Sequence, residues 1–279
     1  METNLRQAET KITIAGLLAS KNLEITRGDN GNIISGDLII KVDDVNSIRV
    51  KVYCGETKKD GTKNKAYDGL VTVKDEYKSI ADVGEENADY VYVGSGQFNT
   101  YRNPNNGQDT VSYQSNFFTR AKVREPKREW KAEMFIKSKI PEMINTSDGS
   151  KETGRLKIRG IAPNYNGIDI IDFVVPKDIA DDVDDLLEIG TTFVVDGDIV
   201  NSRVEKKVEM LIGKPRTEYE YKNELVLTGV ERQVEEPNAY SADAIKLAIQ
   251  EYENKANAPK TEAPAKKPTA AGTGRTLGF

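Results

Sequence analysis

Residues Ser35–Val42 read SGDLIIKV, and 118 residues further on Thr153–Gly160 read TGRLKIRG, with Gly, Leu and Ile at the same spacing. The correspondence extends upstream, where EITRGDNG from Glu24 faces EMINTSDG from Glu142. A turn triplet ending in Gly, followed by apolar residues at alternate positions, is the pattern of a β-hairpin with one buried face. The chain therefore carries the same hairpin twice. A second pair, YVGSGQF ending at Phe98 and FVVDGDI ending at Ile199, sits at an offset of 101, so the first copy holds extra residues between its hairpin and this strand. They fall between Gly55 and Asp89, beginning with the lysine- and glycine-rich GETKKDGTKNK. Surface loops absorb such insertions. Repeats at a spacing above about 100 residues are whole domains.

Each copy reads as three strands, a helix and two strands. Strands are expected near 10–26, 33–42, 47–54, 90–100 and 110–124 in the first copy, and near 131–144, 153–161, 168–175, 191–203 and 218–231 in the second. That order is the OB-fold, so the expected fold is mainly β: two consecutive five-stranded OB-fold-like barrels. The expected divisions are a first barrel over 1–126 with its insertion at about 55–89, and a second barrel over 127–236. A C-terminal helix over 237–255 and a disordered tail over 256–279 follow. Gly96 and Gly197 interrupt apolar runs where a small barrel bends a strand sharply. SADAIKLAIQEYENK, with Ser241 as N-cap, has the spacing of an amphipathic helix that packs on the second barrel. Beyond Asn254 the Ala, Pro, Lys and Thr bias cannot bury a core.

Composition narrows the chemistry. The chain has 279 residues, a net charge of −5, one cysteine (Cys54) and no histidine. Without histidine, His-based acid–base catalysis, Ser-His and Cys-His nucleophiles and the usual zinc sites are excluded. There is no Walker-type GKS or GKT motif, and no GxGxxG opens a helix, so no phosphate cradle is indicated. No catalytic residue, metal or cofactor is expected. No apolar run reaches the roughly 20 residues that span a bilayer, and METNLRQAET lacks the apolar stretch of a signal peptide. A cytoplasmic, membrane-free protein is expected, and a single cysteine agrees with a reducing compartment.

Alternation assigns the outward side chains. In SIRVKVYC, Ile48, Val50, Val52 and Cys54 share the inner face, which sends Arg49, Lys51 and Tyr53 outward. In GRLKIRG, Leu156 and Ile158 point inward and Arg155, Lys157 and Arg159 outward. On the fifth strand Phe117, Ala121 and Val123 are expected inside, against Arg120, Lys122 and Arg124 outside. These outward positions hold cations and one tyrosine with no acid, while the acids gather in KDIADDVDDLLE from Lys177, a run that reads as a solvated helix. A basic face on an acidic protein implies an anionic ligand. Interleaved rings identify the anion as single-stranded nucleic acid, bound by cations on phosphates and rings on bases. Tyr101 and Arg102 lie in the loop after the fourth strand, Tyr165 in the turn APNYNG, and Trp130 among the cations of REPKREWKAE. For Trp130, burial between the barrels is the competing role.

Tandem OB-like barrels with basic, aromatic outer faces and a low-complexity tail ending in Phe resemble a single-stranded DNA-binding protein of the bacteriophage replication type. The resemblance covers roughly residues 1–235 and the tail. It implies sequence-independent binding and protection of single-stranded DNA in replication or recombination. It places the strand through the second and third strands and adjoining loops, which are Arg49, Lys51, Tyr53, Tyr101, Arg102, Arg155, Lys157 and Arg159. Leu277 and Phe279 of the terminal GRTLGF would then anchor on a replication or recombination partner. The tail departs from the family's acidic pattern, since NKANAPKTEAPAKKPTAAGTGRTLGF is basic. An OB-type protein-interaction or virion structural module and a carboxylate-metal nuclease stay open as alternatives.

Overall fold

In a computed structural model, which describes residues 5–29, 31–103, 107–146, 149–208, 214 and 216–257, the quoted stretches are equivalent strands of two closed rings. The first copy supplies β1 (Thr10–Gly28), β2 (Gly31–Lys41), β3 (Ser47–Gly55), α1 (Lys65–Glu76), α2 (Ile80–Val83), β4 (Tyr90–Arg102), β5 (Asp109–Gln114) and the short β6 (Thr119–Arg120). The second supplies β7 (Lys127–Thr146), β8 (Gly149–Asn164), β9 (Gly167–Val175), α3 (Ala180–Leu186), β10 (Thr192–Val208) and β11 (Arg216–Val234). It is followed by α4 (Ala242–Asn257).

β1 pairs antiparallel with β2, β2 with β3, and β5 with β4, which returns to β1. The ring closes through a short parallel contact of β3 with β5, Val50 facing Tyr113. The second ring repeats this order as β7, β8, β9, β11 and β10, its parallel contact being Val226 against Val174. Each is the closed five-stranded arrangement of an OB-fold-like barrel. Duplication shows in backbone detail as well. Gly36 and its counterpart Gly154 both have positive φ, 143° and 79°, which only glycine adopts at little cost. Their apolar followers Leu38, Ile40, Leu156 and Ile158 are all buried.

The two rings share a seam. β1 and β7 pair antiparallel with Ile12 facing Trp130, and those two residues are themselves counterparts at the repeat spacing of 118. The seam therefore lies on a local two-fold axis. Ile12 also faces Gly96 of β4, and Trp130 faces Gly197 of β10, so each interrupting glycine sits where a strand crosses the seam. A Cβ at Gly197 would overlap the Val226 carbonyl oxygen and stand 2.7 Å from the Trp130 indole nitrogen. The Trp130 ring packs 6.3 Å from Phe98 of the first ring and 5.6 Å from Phe173 of the second.

Reciprocal ties flank the seam. Thr100 of β4 donates from its amide and hydroxyl to Asp169 Oδ1 of β9, at 3.0 and 2.7 Å. On the other side the Arg203 amide of β10 donates to the Val45 carbonyl, 3.0 Å away in the β2–β3 turn. α1 buries Tyr67, Leu70 and Val73 against the first ring, with Asn64 capping its N-terminus through the Ala66 amide. α3 buries Ala180 and Val183 and leaves its aspartates exposed. α4 buries Ile245 and Ala248 and packs on β9, while its Tyr252 hydroxyl reaches the first ring to donate to Asp109 at 2.9 Å.

The strand expected over 110–124 is shorter. β5 ends at Gln114, because Ser115 Oγ accepts from the Phe117 amide and donates to the Phe117 carbonyl, a local alternative to the ladder. Phe117 and Val123, expected inside, are 62% and 73% exposed, and residues 121–126 lie outside helix and strand.

Two outcomes test this packing. Gly197→Ala should destabilise the protein by about 1–3 kcal/mol or more, because backbone oxygen and a core indole must both shift, whereas Gly69→Ala, in α1 with open space around it, should stabilise by about 0.5–1 kcal/mol. Urea unfolding midpoints measure both. Burial pushes the Cys54 thiol above its ordinary range, so a thiol-specific reagent at pH 8 should label the native chain slowly and the urea-unfolded chain at once.

Candidate nucleic-acid interface

The outer face of the first ring is assembled by strand alternation. Ile48, Val50, Val52 and Cys54 are buried, and Arg49 and Tyr53 are exposed with Lys51 half-buried between them. The Tyr53 ring is 59% exposed. Among the described residues Arg49 has one ion-pair contact, a long one of 3.8 Å to Asp37. Lys51 places its ammonium 4.9 Å from the centre of the exposed Tyr101 ring on β4. The second ring contributes Tyr165, 80% exposed in the β8–β9 turn, with Lys59 from the inserted loop 5.6 Å from its ring centre. The insertion thus reaches across to the second ring. Cations and exposed rings are interspersed over Arg49, Lys51, Tyr53, Tyr101, Lys59 and Tyr165, the chemistry that grips phosphates and bases together.

Other expected positions are engaged inside the protein. Arg155 pairs with Glu224 at 2.6 Å and Glu142 at 3.3 Å, and Lys157 with Glu142 at 3.3 Å. Arg159 makes a two-bond fork with Asp172, both at 2.7 Å. The face expected to lack acids therefore mixes signs in the second ring, because its acids come from neighbouring strands. Glu142 lies buried; burial alone would raise its pKa, but Thr153, Arg155 and Lys157 together hold it below the usual glutamate value. Arg102 forks onto Asp109 at 3.1 Å, lies 5.4 Å from the Tyr252 ring centre, and is half-buried. This is a structural pair that ties α4 to the first ring. Burial, with Asp109 accepting its proton, pushes the Tyr252 hydroxyl up to about 12.

Three further corrections concern the segment after β5. Arg120 packs its guanidinium 4.3 Å from the Tyr77 ring centre and bonds Asp89 and the Glu76 carbonyl. Lys122 and Arg124 are exposed but stand on no strand, so they are not part of a regular basic face. Trp130, at 2% exposure, belongs to the seam and not to a stacking surface. Leu277 and Phe279 lie outside the described residues.

Sequence reasoning passed over one aromatic cluster. On the long β10–β11 hairpin the Arg203 guanidinium lies 3.8 Å from the Tyr219 ring centre and 5.9 Å from that of Tyr221, which is largely exposed. The signal was the alternation in TEYEYKNE, which puts both tyrosines on one face of β11. Among the described residues no group of three or more carboxylates and cysteine is placed to hold a metal ion, and no helix is long and apolar enough to cross a membrane.

The fold is similar to that of the wild-type single-stranded DNA-binding protein from Thermus aquaticus, at 11% identity and a TM-score of 0.51, covering 83% of this chain and 96% of that one. A deletion mutant of the same protein gives 11% identity and a TM-score of 0.52, covering 82% of this chain and 97% of that one. At this identity the likeness is one of fold. No curated protein matches the sequence. The sequence itself matches YorF over residues 9–262, and the chain belongs to the YorF family.

Proposed function

We propose that the chain binds single-stranded DNA without catalysis, as a protein of bacteriophage replication or recombination acting in the host cytoplasm. The observation that carries this reading is the run of cations and exposed rings from Arg49, Lys51, Tyr53 and Tyr101 of the first ring to Lys59 and Tyr165 at its border with the second. Ammonium and guanidinium groups follow a phosphate backbone, and tyrosine rings stack on bases of any identity. The likeness of fold to a single-stranded DNA-binding protein supports it. The paired cations Arg155, Lys157 and Arg159 contribute less in this proposal, since a phosphate must compete with the carboxylates already holding them. Leu277 and Phe279 are proposed to recruit a replication or recombination protein.

Affinity for an oligonucleotide of about thirty bases should fall steeply with salt, log K changing by about −0.7 per decade of salt for each phosphate contacted. Equal binding at low and high salt, or no binding, overturns the proposal. Replacing Arg49, Lys51 and Tyr53 together by alanine should weaken binding by about tenfold or more, one lost stacking contact alone supplying about 1–3 kcal/mol. Replacing Arg155, Lys157 and Arg159 should weaken it less. The reverse order, measured on folded variants by fluorescence anisotropy, would move the DNA path onto the second ring.

A further inference from the structure

Beside the cation-and-ring face lies a cleft of different chemistry. It holds about 270 Å³ and is bounded by β4 and β5 of the first ring, the segment before β1, and the β8–β9 turn of the second ring. Its apolar wall includes Ala8 and Phe98, and no lysine or arginine lines it. A phosphate would find no counter-charge there. What converges on it instead is amide: Gln7, Gln97, Asn99 and Gln114.

Hydrogen bonding separates structural amides from open ones. Asn164 is engaged in the β8–β9 turn, accepting from the Asn166 amide and donating to Asp169 Oδ2, both at 2.8 Å. Asp169 is buried and occupied by Thr100 and Asn164. By contrast the Gln7 and Gln97 side chains make no hydrogen bond among the described residues. Asn99 and Gln114 share one, Asn99 Nδ2 donating to Gln114 Oε1 at 3.3 Å. In that arrangement Asn99 Oδ1 remains an acceptor and the Gln114 NH₂ remains a donor. An acceptor beside a donor is what the edge of a nucleobase requires. Gln114 faces Gln97 on one side and Lys51 on the other, so the amides continue the outer row that starts with the basic face. Tyr165 stands on the rim, largely exposed.

We propose that this cleft receives one base of the bound strand and reads its hydrogen-bonding edge, with Asn99 and Gln114 as the reading pair, Gln7 and Gln97 as supporting amides, and Tyr165 stacking on the base or its neighbour. The inference rests on the single-stranded DNA reading and adds to it: the phosphate and ring contacts bind any sequence, and one position in the strand carries a preference. Stacking strength also distinguishes homopolymers, so a preference counts only if the amides cause it.

The test compares adenine, cytosine and thymine homopolymers of about thirty bases on the full chain by anisotropy. The expected spread between best and weakest is about fivefold or more, the lower end of what a two-bond base contact provides. The Gln97→Ala, Gln114→Ala double variant should reduce it to within about twofold, through loss at the preferred base. If that variant fails to fold, Asn99→Ala, at an exposed position, carries the same test. Equal affinity of the wild-type chain for all three, or a spread that survives in the variant, overturns the base-reading cleft and leaves general DNA binding standing. Binding to none overturns both.

Discussion

The pairing of β1 with β7 at Ile12 and Trp130 is the constraint on which the rest of the molecule depends. A small barrel closes only if its first strand serves two neighbours, and here that strand also serves the other barrel. β1 manages this through length and curvature, pairing with β2 along its second half and with β4 and β7 along its first. The register shift between Ile12 and Ile14 marks where the curvature is taken up. Gly96 and Gly197 follow from the same demand, since side chains there would meet Ile12 and the Trp130 indole. Burial of Trp130 against Phe98 and Phe173 joins the two hydrophobic cores into one. Aromatic pairs of this kind contribute about 0.5–1.5 kcal/mol each beyond the area they bury.

Around that seam, polar contacts fix the relation of the rings. The Thr100–Asp169 bonds and the Arg203–Val45 bond are reciprocal in direction, one taking β4 to the start of β9 in the second ring and the other taking β10 to the β2–β3 turn of the first. Only one of the two sides is covered by α4, through Tyr252 and Asp109. The near-symmetric frame therefore presents two unlike sides. The amide-lined cleft lies on the Asp169 side, and the long β10–β11 hairpin with Tyr219 and Tyr221 rises from the Val45 side.

Much of the frame was legible because it is written in local periodicity. The hairpin copies, the inner and outer residues of β3 and β8, the helix after Ser241 and the solvated acidic helix all follow from spacing within about a dozen residues. What spacing could not carry was pairing at a distance. Arg155 and Lys157 look free until Glu142 arrives on β7 and Glu224 on β11. The end of β5 was missed for a related reason, because a serine hydroxyl that satisfies nearby backbone competes with the ladder without disturbing the hydrophobic alternation around it. Trp130 illustrates the remaining ambiguity: cationic neighbours in sequence suggested a surface ring, while the repeat spacing that makes it the counterpart of Ile12 pointed to the seam.

The two-fold seam has a directional consequence. An antiparallel pair has its dyad perpendicular to the sheet, so any path drawn across one ring is reversed when carried onto the other. A nucleic-acid strand has a 5′ and a 3′ end, and a strand passing straight over the seam would meet the second ring running backwards relative to the first. Identical surfaces on the two rings could not grip it identically. Duplication in this geometry therefore frees the second copy from keeping the first copy's contacts. Arg155, held by Glu142 and Glu224, stands at the repeat spacing of 118 where the first copy has Asp37, and Lys157 where it has Ile39, which is what that freedom looks like in side chains.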